Sequence, residues 1–215
     1  MRSTRLASAI GVLAAVLITA TACGGGDQAA SDTTTSAAAT TTTGAAMGDG
    51  VTKTGDVFGE GCAGLPSAAT DQGSLEGMVD DPVATAAGNN PLLTKLVAAV
   101  QAAGLVDTLN KADAGYTVFA PYDPAFDALG QDALDAVLAD KAKLTSILTY
   151  HVVPQRMDKD GILASANLPT VQGGTLAVAG SGDDVTVNGA KVLCGNIPTA
   201  NATVFVIDAV MMPTS

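Results

Sequence analysis

Apolar and polar residues divide the chain of 215 residues into three parts. Residues 7–18 are almost continuously apolar, whereas residues 24–49 contain no Leu, Ile, Val or aromatic residue. From about residue 62 to residue 213, apolar residues recur first at helical spacing and then in short runs between glycines. Because helices come first and strands later, this pattern predicts one domain of the α+β class rather than a doubly wound sheet.

The helical half is marked by apolar residues three or four positions apart. Asn90 and Pro91 are typical of the N-cap and first turn of a helix, and Gly104 is typical of its end. Asp123 and Pro124 repeat the start signal. We therefore predict helices that begin at Pro91 and Pro124, a short helix over 105–110, a helix through 134–138 and another over 141–148.

The second half has the short apolar runs and turn residues of a β region. Residues 116–120, 150–153 and 203–207 are predicted strands. Residues 181–184 and the pair at 188–189, which is Asn-Gly, are turn signals, and Asn-Gly is a strong indication of a hairpin.

The start of the chain has the features of an export signal. Two arginines precede the apolar run of residues 7–18, which is too short to span a bilayer with margin. Small residues at 20–22 stand directly before Cys23, which predicts a bacterial lipobox: residues 1–22 are a signal peptide and Cys23 carries the lipid. A lipobox prefers Leu or Val where this chain has Ala20, and an ordinary signal peptide is the alternative.

Residues 23–60 are predicted to be a flexible tether that links the lipid to a domain over residues 61–215. Seven of residues 24–49 are Thr, and this stretch cannot bury enough apolar surface to offset the entropy of ordering it. The Thr run is either an unmodified spacer or a carrier of O-linked sugar.

Charge excludes some classes of partner. The chain has 10 Lys and Arg against 21 Asp and Glu, which gives a formal net charge of −11. Nucleic-acid binding needs clustered cations, and so does electrostatic adhesion to anionic lipid. We therefore expect no nucleic-acid partner, and membrane contact through the lipid anchor alone.

Cys62 and Cys194 remain once Cys23 is assigned to lipid. An even pair of cysteines in an exported chain predicts a disulfide. A metal site is the weaker alternative because two Cys and one distant His make a poor zinc set. A catalytic thiol is a third, and its base would have to be His151.

Three segments resemble the fasciclin (FAS1) family. Residues 116–129 read YTVFAPYDPAFDAL and are similar to the first family motif. Tyr150 and His151 resemble the central Tyr-His motif, and residues 201–213, NATVFVIDAVMMP, resemble the second conserved segment. Segments such as residues 81–91 and 192–195 closely resemble those of mycobacterial single-FAS1 antigens, which include a soluble secreted type and a surface lipoprotein type. Because of Cys23, this sequence resembles the lipoprotein type.

The resemblance implies a wedge of short β-strands with a helical side, and a bridge between Cys62 and Cys194. It also implies a role in adhesion. In animal relatives, integrin binding has been linked to the Tyr-His region and to an Asp-Ile element before the last strand. Residues 195–200 of this chain contain no Asp-Ile, which weakens an integrin hypothesis.

Tyr150 and His151 are the candidate binding residues. His151 is the single histidine and is either a ligand or general base, or a partly buried residue that fixes the strand beside Tyr150. The chain has no GxSxG nucleophile motif and no EF-hand pattern, so we expect no catalytic residue, metal or cofactor. The aspartates at 123, 127, 132, 135 and 140 are interpreted as a solvated face, with weak calcium binding as the alternative.

The sequence thus predicts a non-enzymatic protein, exported and lipid-anchored at the outer face of the cell membrane, that binds an unknown surface, matrix or host protein. The alternative is a small-molecule or lipid carrier that holds an apolar ligand between the sheet and the helices. An enzyme is the least favoured class.

Overall fold

The described chain is mainly helical in its first half, as the sequence predicts. The computed structural model describes residues 50–112 and 115–213. Two 3-10 turns, Thr54–Asp56 and Glu60–Gly64, come first. The helices are α1 (Leu75–Met78), α2 (Val83–Asn89), α3 (Thr94–Ala103), α4 (Val106–Leu109), α5 (Asp123–Leu129), α6 (Gln131–Ala139), α7 (Lys141–Tyr150) and α8 (Lys159–Ala164).

The strands form one mixed sheet. They are β1 (Tyr116–Pro121), β2 (Val152–Val153), β3 (Asn167–Pro169), β4 (Thr175–Ser181), β5 (Asp184–Val187), β6 (Ala190–Pro198) and β7 (Ala202–Ile207). Their order is β2-β1-β7-β6-β5-β4-β3. β1 and β7 run parallel, and the other described pairs are antiparallel. Both predicted tight turns are present, at Ser181 paired with Asp184 and at Val187 paired with Ala190.

The parallel pair β1–β7 lies inside the domain and is covered on both faces. The two strands are in register from Tyr116 opposite Ala202 to Pro121 opposite Ile207. A parallel pair buried in this way has an almost continuous apolar sequence, which is why both segments stand out in the chain.

Two buried threonines interrupt this apolar pair, and both have hydrogen-bond partners. The Thr117 hydroxyl donates to the Gln155 carbonyl at 2.7 Å. The Thr203 hydroxyl donates to the Gly50 carbonyl at 2.8 Å. The central strands therefore bury polar atoms without leaving them unsatisfied.

Successive side chains of the central strands point to opposite faces of the sheet, and each face packs into its own hydrophobic core. Val204 and Val206 of β7 pack into a helical core formed largely with α2, α3, α6 and α7. Phe205 and Ile207 point to the other face, into a second core with β3–β6. Phe205 there contacts Phe119 of β1, with ring centroids 5.6 Å apart.

The two edge strands of the sheet, β2 and β3, are linked by backbone hydrogen bonds from the residues that directly follow β3. The Val171 N–H donates to the Val152 carbonyl at 2.8 Å, and the Gln172 N–H donates to the Thr149 carbonyl at 3.3 Å. The sheet is therefore close to a barrel, and Val171 lies beside β2.

Residues 50–65 form an N-terminal strap across β6 and β7. Phe58 forms a β-bridge with Gly195, where a Cβ would lie 2.4 Å from the Phe58 ring. Cys62 is bonded to Cys194 with an S–S distance of 2.05 Å, as expected from the sequence. Residues 50–60, which the sequence analysis assigns to the tether, contact the domain in the structure: Phe58 is buried, and the Gly50 carbonyl accepts from Thr203.

The start of α3 differs from the prediction. The helix begins at Thr94 rather than Pro91, since Asn90 instead ends α2 and its side chain accepts from the Leu92 N–H at 2.9 Å. The N-terminus of α3 is capped from a distant helix: Asp123 of α5 accepts from the Lys95 N–H at 2.9 Å. The predicted strand over 150–153 is also shorter, because α7 continues to Tyr150.

Residues 50–213 contain both cores and the disulfide, so this part of the chain has what an independently folding domain needs.

Replacing both disulfide cysteines by serine should lower the free energy of unfolding by about 2–4 kcal/mol, because the bridge restricts the unfolded chain. Urea denaturation of residues 50–215, with and without Cys62→Ser and Cys194→Ser, measures the difference. Reduction of the unsubstituted domain is the control and should give a similar loss. An unchanged denaturation midpoint would show that the strap is held without the bridge.

Candidate ligand cavity and the Tyr150–His151 pair

A cavity of about 370 Å³ lies between the helices and the β1–β2 end of the sheet. Its walls come from α2, α3, α4, β1, β2 and the end of α7. A volume in this range is typical of pockets that hold small molecules. The cavity is therefore the candidate binding site within the described residues.

The inner wall of the cavity is apolar. Apart from one imidazole, its buried side chains are apolar. They are Val83, Leu96, Val100, Val118, Phe119, Leu148, Val152 and His151. These side chains belong to the helical core or adjoin it, so the cavity is a gap in the packing of that core.

The outer rim is more polar but carries no formal charge. Thr85, Gln101 and Thr108 are exposed there, beside the apolar Val171, which is 46% exposed. Among the described residues that line the cavity, none is Lys, Arg, Asp or Glu. The site can therefore bind apolar surface, with hydrogen bonds available only near its opening.

His151 is fixed between two backbone groups. Its relative exposure is 3%. The Met211 N–H donates to Nε2 at 3.0 Å, which requires that nitrogen to be unprotonated. Nδ1 therefore carries the proton and donates to the Ile147 carbonyl at 2.8 Å. Desolvation by burial lowers the His151 pKa from 6.5 to about 4, although the hydrogen bond to Ile147 opposes this shift.

Tyr150 points to the other core. Its hydroxyl donates to the Thr175 carbonyl at 3.0 Å and accepts from the Asn188 side-chain amide at 3.2 Å. Asn188 has the positive φ of 52° that the Asn-Gly turn requires. Tyr150 therefore links the end of α7 to β4 and to the β5–β6 hairpin.

The structure thus separates the two candidate binding residues. Tyr150 belongs to the second core, and His151 forms part of the cavity wall with both ring nitrogens occupied. Each has internal partners that suit a structural role. Their role in binding stays a prediction.

Other residues singled out in the sequence lie elsewhere. Cys23 is outside the described residues. Asp123 caps α3, Asp140 accepts from the N–H groups of Ala142 and Lys143 at the start of α7, and Asp127 pairs with Lys95. Within residues 50–112 and 115–213, no group of three His, Cys, Asp or Glu is placed to hold a metal ion.

In the same described ranges, no helix is both long enough and apolar enough to cross a membrane. The apolar run at residues 7–18 lies outside those ranges.

Sequence reasoning did not identify the residues of α2 and α4 that line the cavity. Val83, Val106 and Leu109 have the composition of ordinary core positions, and nothing in their spacing signals a gap. The one available signal is that α4 is short and begins soon after Gly104 ends α3, so little helix surface is available to fill the space beside it.

Stability should fall as the pH is lowered from neutral to about 4, in part because of His151. Its pKa is 6.5 unfolded and about 4 folded, so the unfolded chain binds the proton more readily in this window. The contribution is complete above 6.5 and is lost as the pH falls toward 4, by on the order of 3 kcal/mol. Urea denaturation across this range should show a smaller loss for His151→Gln.

Tyr150→Phe is the matched control, because it removes a neighbouring hydrogen bond and keeps the titrating imidazole. It should retain the pH dependence of the unsubstituted domain. Identical pH slopes for His151→Gln and the unsubstituted domain would contradict the assignment of a neutral, buried His151.

Comparison with known proteins identifies the domain. The Fasciclin domain family model matches residues 91–213. The chain is 44% identical over 180 residues to the cell surface glycolipoprotein MPB83 of Mycobacterium bovis, covering 79% of this chain and 76% of that protein. It is 44% identical over 165 residues to the immunogenic protein MPT70 of Mycobacterium tuberculosis, covering 74% and 83%.

More distant comparisons agree. The chain is 40% identical over 118 residues to the transforming growth factor-beta-induced protein ig-h3 of Sus scrofa, covering 55% of this chain and 17% of that protein. The fold is similar to a FAS1 domain pair from the insect cell adhesion molecule Fasciclin I, with a TM-score of 0.55, 17% identity and coverage of 64% and 52%. The expected α+β FAS1 fold is confirmed, and the chain belongs to the fasciclin domain family.

Proposed function

We propose that this chain is a non-enzymatic lipoprotein of the outer cell-membrane face, and that its FAS1 domain binds another surface, matrix or host protein. The observation that carries the proposal is the 44% identity, over most of both chains, to a protein named as a cell surface glycolipoprotein. The lipobox-like residues before Cys23 fit the same location. More than one acyl chain on Cys23 would give a firm anchor, whereas a single chain would hold only marginally.

The chemistry of the described domain favours binding over catalysis. Cys62 and Cys194 are joined in the disulfide, so neither is a free thiolate. Both nitrogens of His151 bond to backbone groups. A Cys–His or Ser–His pair with an available imidazole, a common arrangement for covalent hydrolytic chemistry, is therefore not present among the described residues.

A second function, carriage of an apolar ligand, is favoured by one specific observation. The 370 Å³ cavity is walled mainly by apolar side chains and opens at a rim without charged residues. A protein-binding domain does not require such a gap, and a gap in a core costs stability. The two functions are compatible, since a partner protein would contact the exterior and the ligand would lie inside.

Cys23→Ala should move the protein from the membrane fraction to the soluble fraction and remove the mass of the lipid. The reason is that the thiol of Cys23 is the proposed attachment point. Fractionation and intact mass measurement in a bacterial host that processes lipoproteins would test this.

Gly26→Ala is the matched control, because it alters the same segment and keeps the thiol. It should fractionate like the unsubstituted chain. Membrane retention of Cys23→Ala, with its mass differing from the unsubstituted chain only by the substitution itself, would refute the anchor.

Surface display should also be needed for adhesion. Cells that display the unsubstituted chain should be retained on a surface coated with matrix protein in larger numbers than cells that express Cys23→Ala at the same level. Equal retention of both strains, with the anchor loss verified, would contradict an adhesive role for the displayed domain.

A further inference from the structure

We propose that the cavity holds the hydrocarbon chain of an uncharged single-chain amphiphile, such as a fatty alcohol or a monoacylglycerol, and disfavours the matching carboxylate. This inference rests on the proposed carrier function and adds the class of ligand. The argument depends on three properties of the site: its size, its inner wall and its rim.

The size favours one chain. A volume of about 370 Å³ is near the lower end of the range for small-molecule pockets. Each methylene group moved from water into such a site contributes about 0.8 kcal/mol, so one chain of moderate length can provide useful affinity.

The buried side chains of the inner wall offer a ligand no free hydrogen-bonding group. His151 is the one buried side chain there that can form hydrogen bonds, and Met211 and Ile147 already occupy its two nitrogens. A polar group pushed to the inner end would lose its hydration without replacement. The inner end of the ligand must therefore be hydrocarbon.

The rim selects the head group. Thr85, Asn89, Gln101 and Thr108 provide hydroxyl and amide groups that can bond a hydroxyl or an ester. They provide no cation to neutralise a carboxylate.

Charges near the rim do not change this preference. The Asp81 carboxylate accepts from the side-chain amide of the rim residue Asn89 at 3.1 Å. Asp107 lies between the lining residues Val106 and Thr108 on α4, and Lys111 follows two positions after Leu109. The chain as a whole has a formal net charge of −11. An anionic head group is therefore repelled by the surrounding field, whereas a neutral one is not.

The experiment uses residues 50–215 and the uncharged fluorescent probe N-phenyl-1-naphthylamine. The probe should bind with increased fluorescence, and 1-decanol should displace it at a concentration at least about tenfold lower than decanoate. The two competitors have the same carbon chain, so the difference reports the head group.

A pair of variants locates the site. Val97 lines the cavity from α3 and is half-buried, so Val97→Phe should fill the space and weaken probe binding by at least about tenfold. Val79 is half-buried at the end of α1, outside the cavity lining, so Val79→Phe is the same change elsewhere and should leave probe binding unaltered.

The outcomes separate the two levels of the proposal. If the unsubstituted domain does not bind the probe, the carrier function and the ligand class both fail. If decanoate competes as well as 1-decanol, the carrier function stands and the uncharged class is overturned. If Val97→Phe binds the probe as well as Val79→Phe does, the binding site is not this cavity and the inference is overturned.

Discussion

The parallel pairing of β1 with β7 is the constraint on which the rest of the domain depends. The side chains on both faces of these two strands are buried, so other elements must pack against each face. Helices cover one face, and the antiparallel strands β3–β6 curve around to cover the other. The N-terminal strap then packs across β6 and β7, where the disulfide holds it. The two cores are therefore consequences of one central pair rather than two separate units.

The cavity follows from how the helical face is covered. The long helices α3 and α7 bury aliphatic side chains against β1 and β7, but α2 and α4 are short and leave space between them. His151 closes the inner end of this space as a neutral ring that joins α7 to the segment at Met211. Because that ring is fully engaged, the same residue both stabilises the domain and keeps the cavity free of charge.

Much of the fold could be predicted from local sequence, and the exceptions have a common physical cause. Residues 116–121 and 202–207 can be predicted as strands because a fully buried parallel pair needs continuous apolar residues. The start of α3 cannot be predicted from local sequence, because the carboxylate that caps it belongs to Asp123, 28 positions after its partner Lys95. The strap at Gly50 and Phe58 was likewise missed, since its contacts are to Thr203 and Gly195. The sequence singles out the Tyr150–His151 pair, but the division of the pair between two cores, and the cavity beside it, depend on packing that sequence does not encode locally.

Hydrogen exchange of residues 50–215, with and without 1-decanol, tests the relation between the central pair and the cavity most directly. We expect the amides of β1 and β7 to exchange most slowly in both conditions, because they open only with the whole domain. We expect 1-decanol to slow exchange in α2 and α4, which form the loosely packed walls of the cavity. Fast exchange in β1 and β7, or protection by 1-decanol that leaves α2 and α4 unchanged, would contradict this view of the molecule.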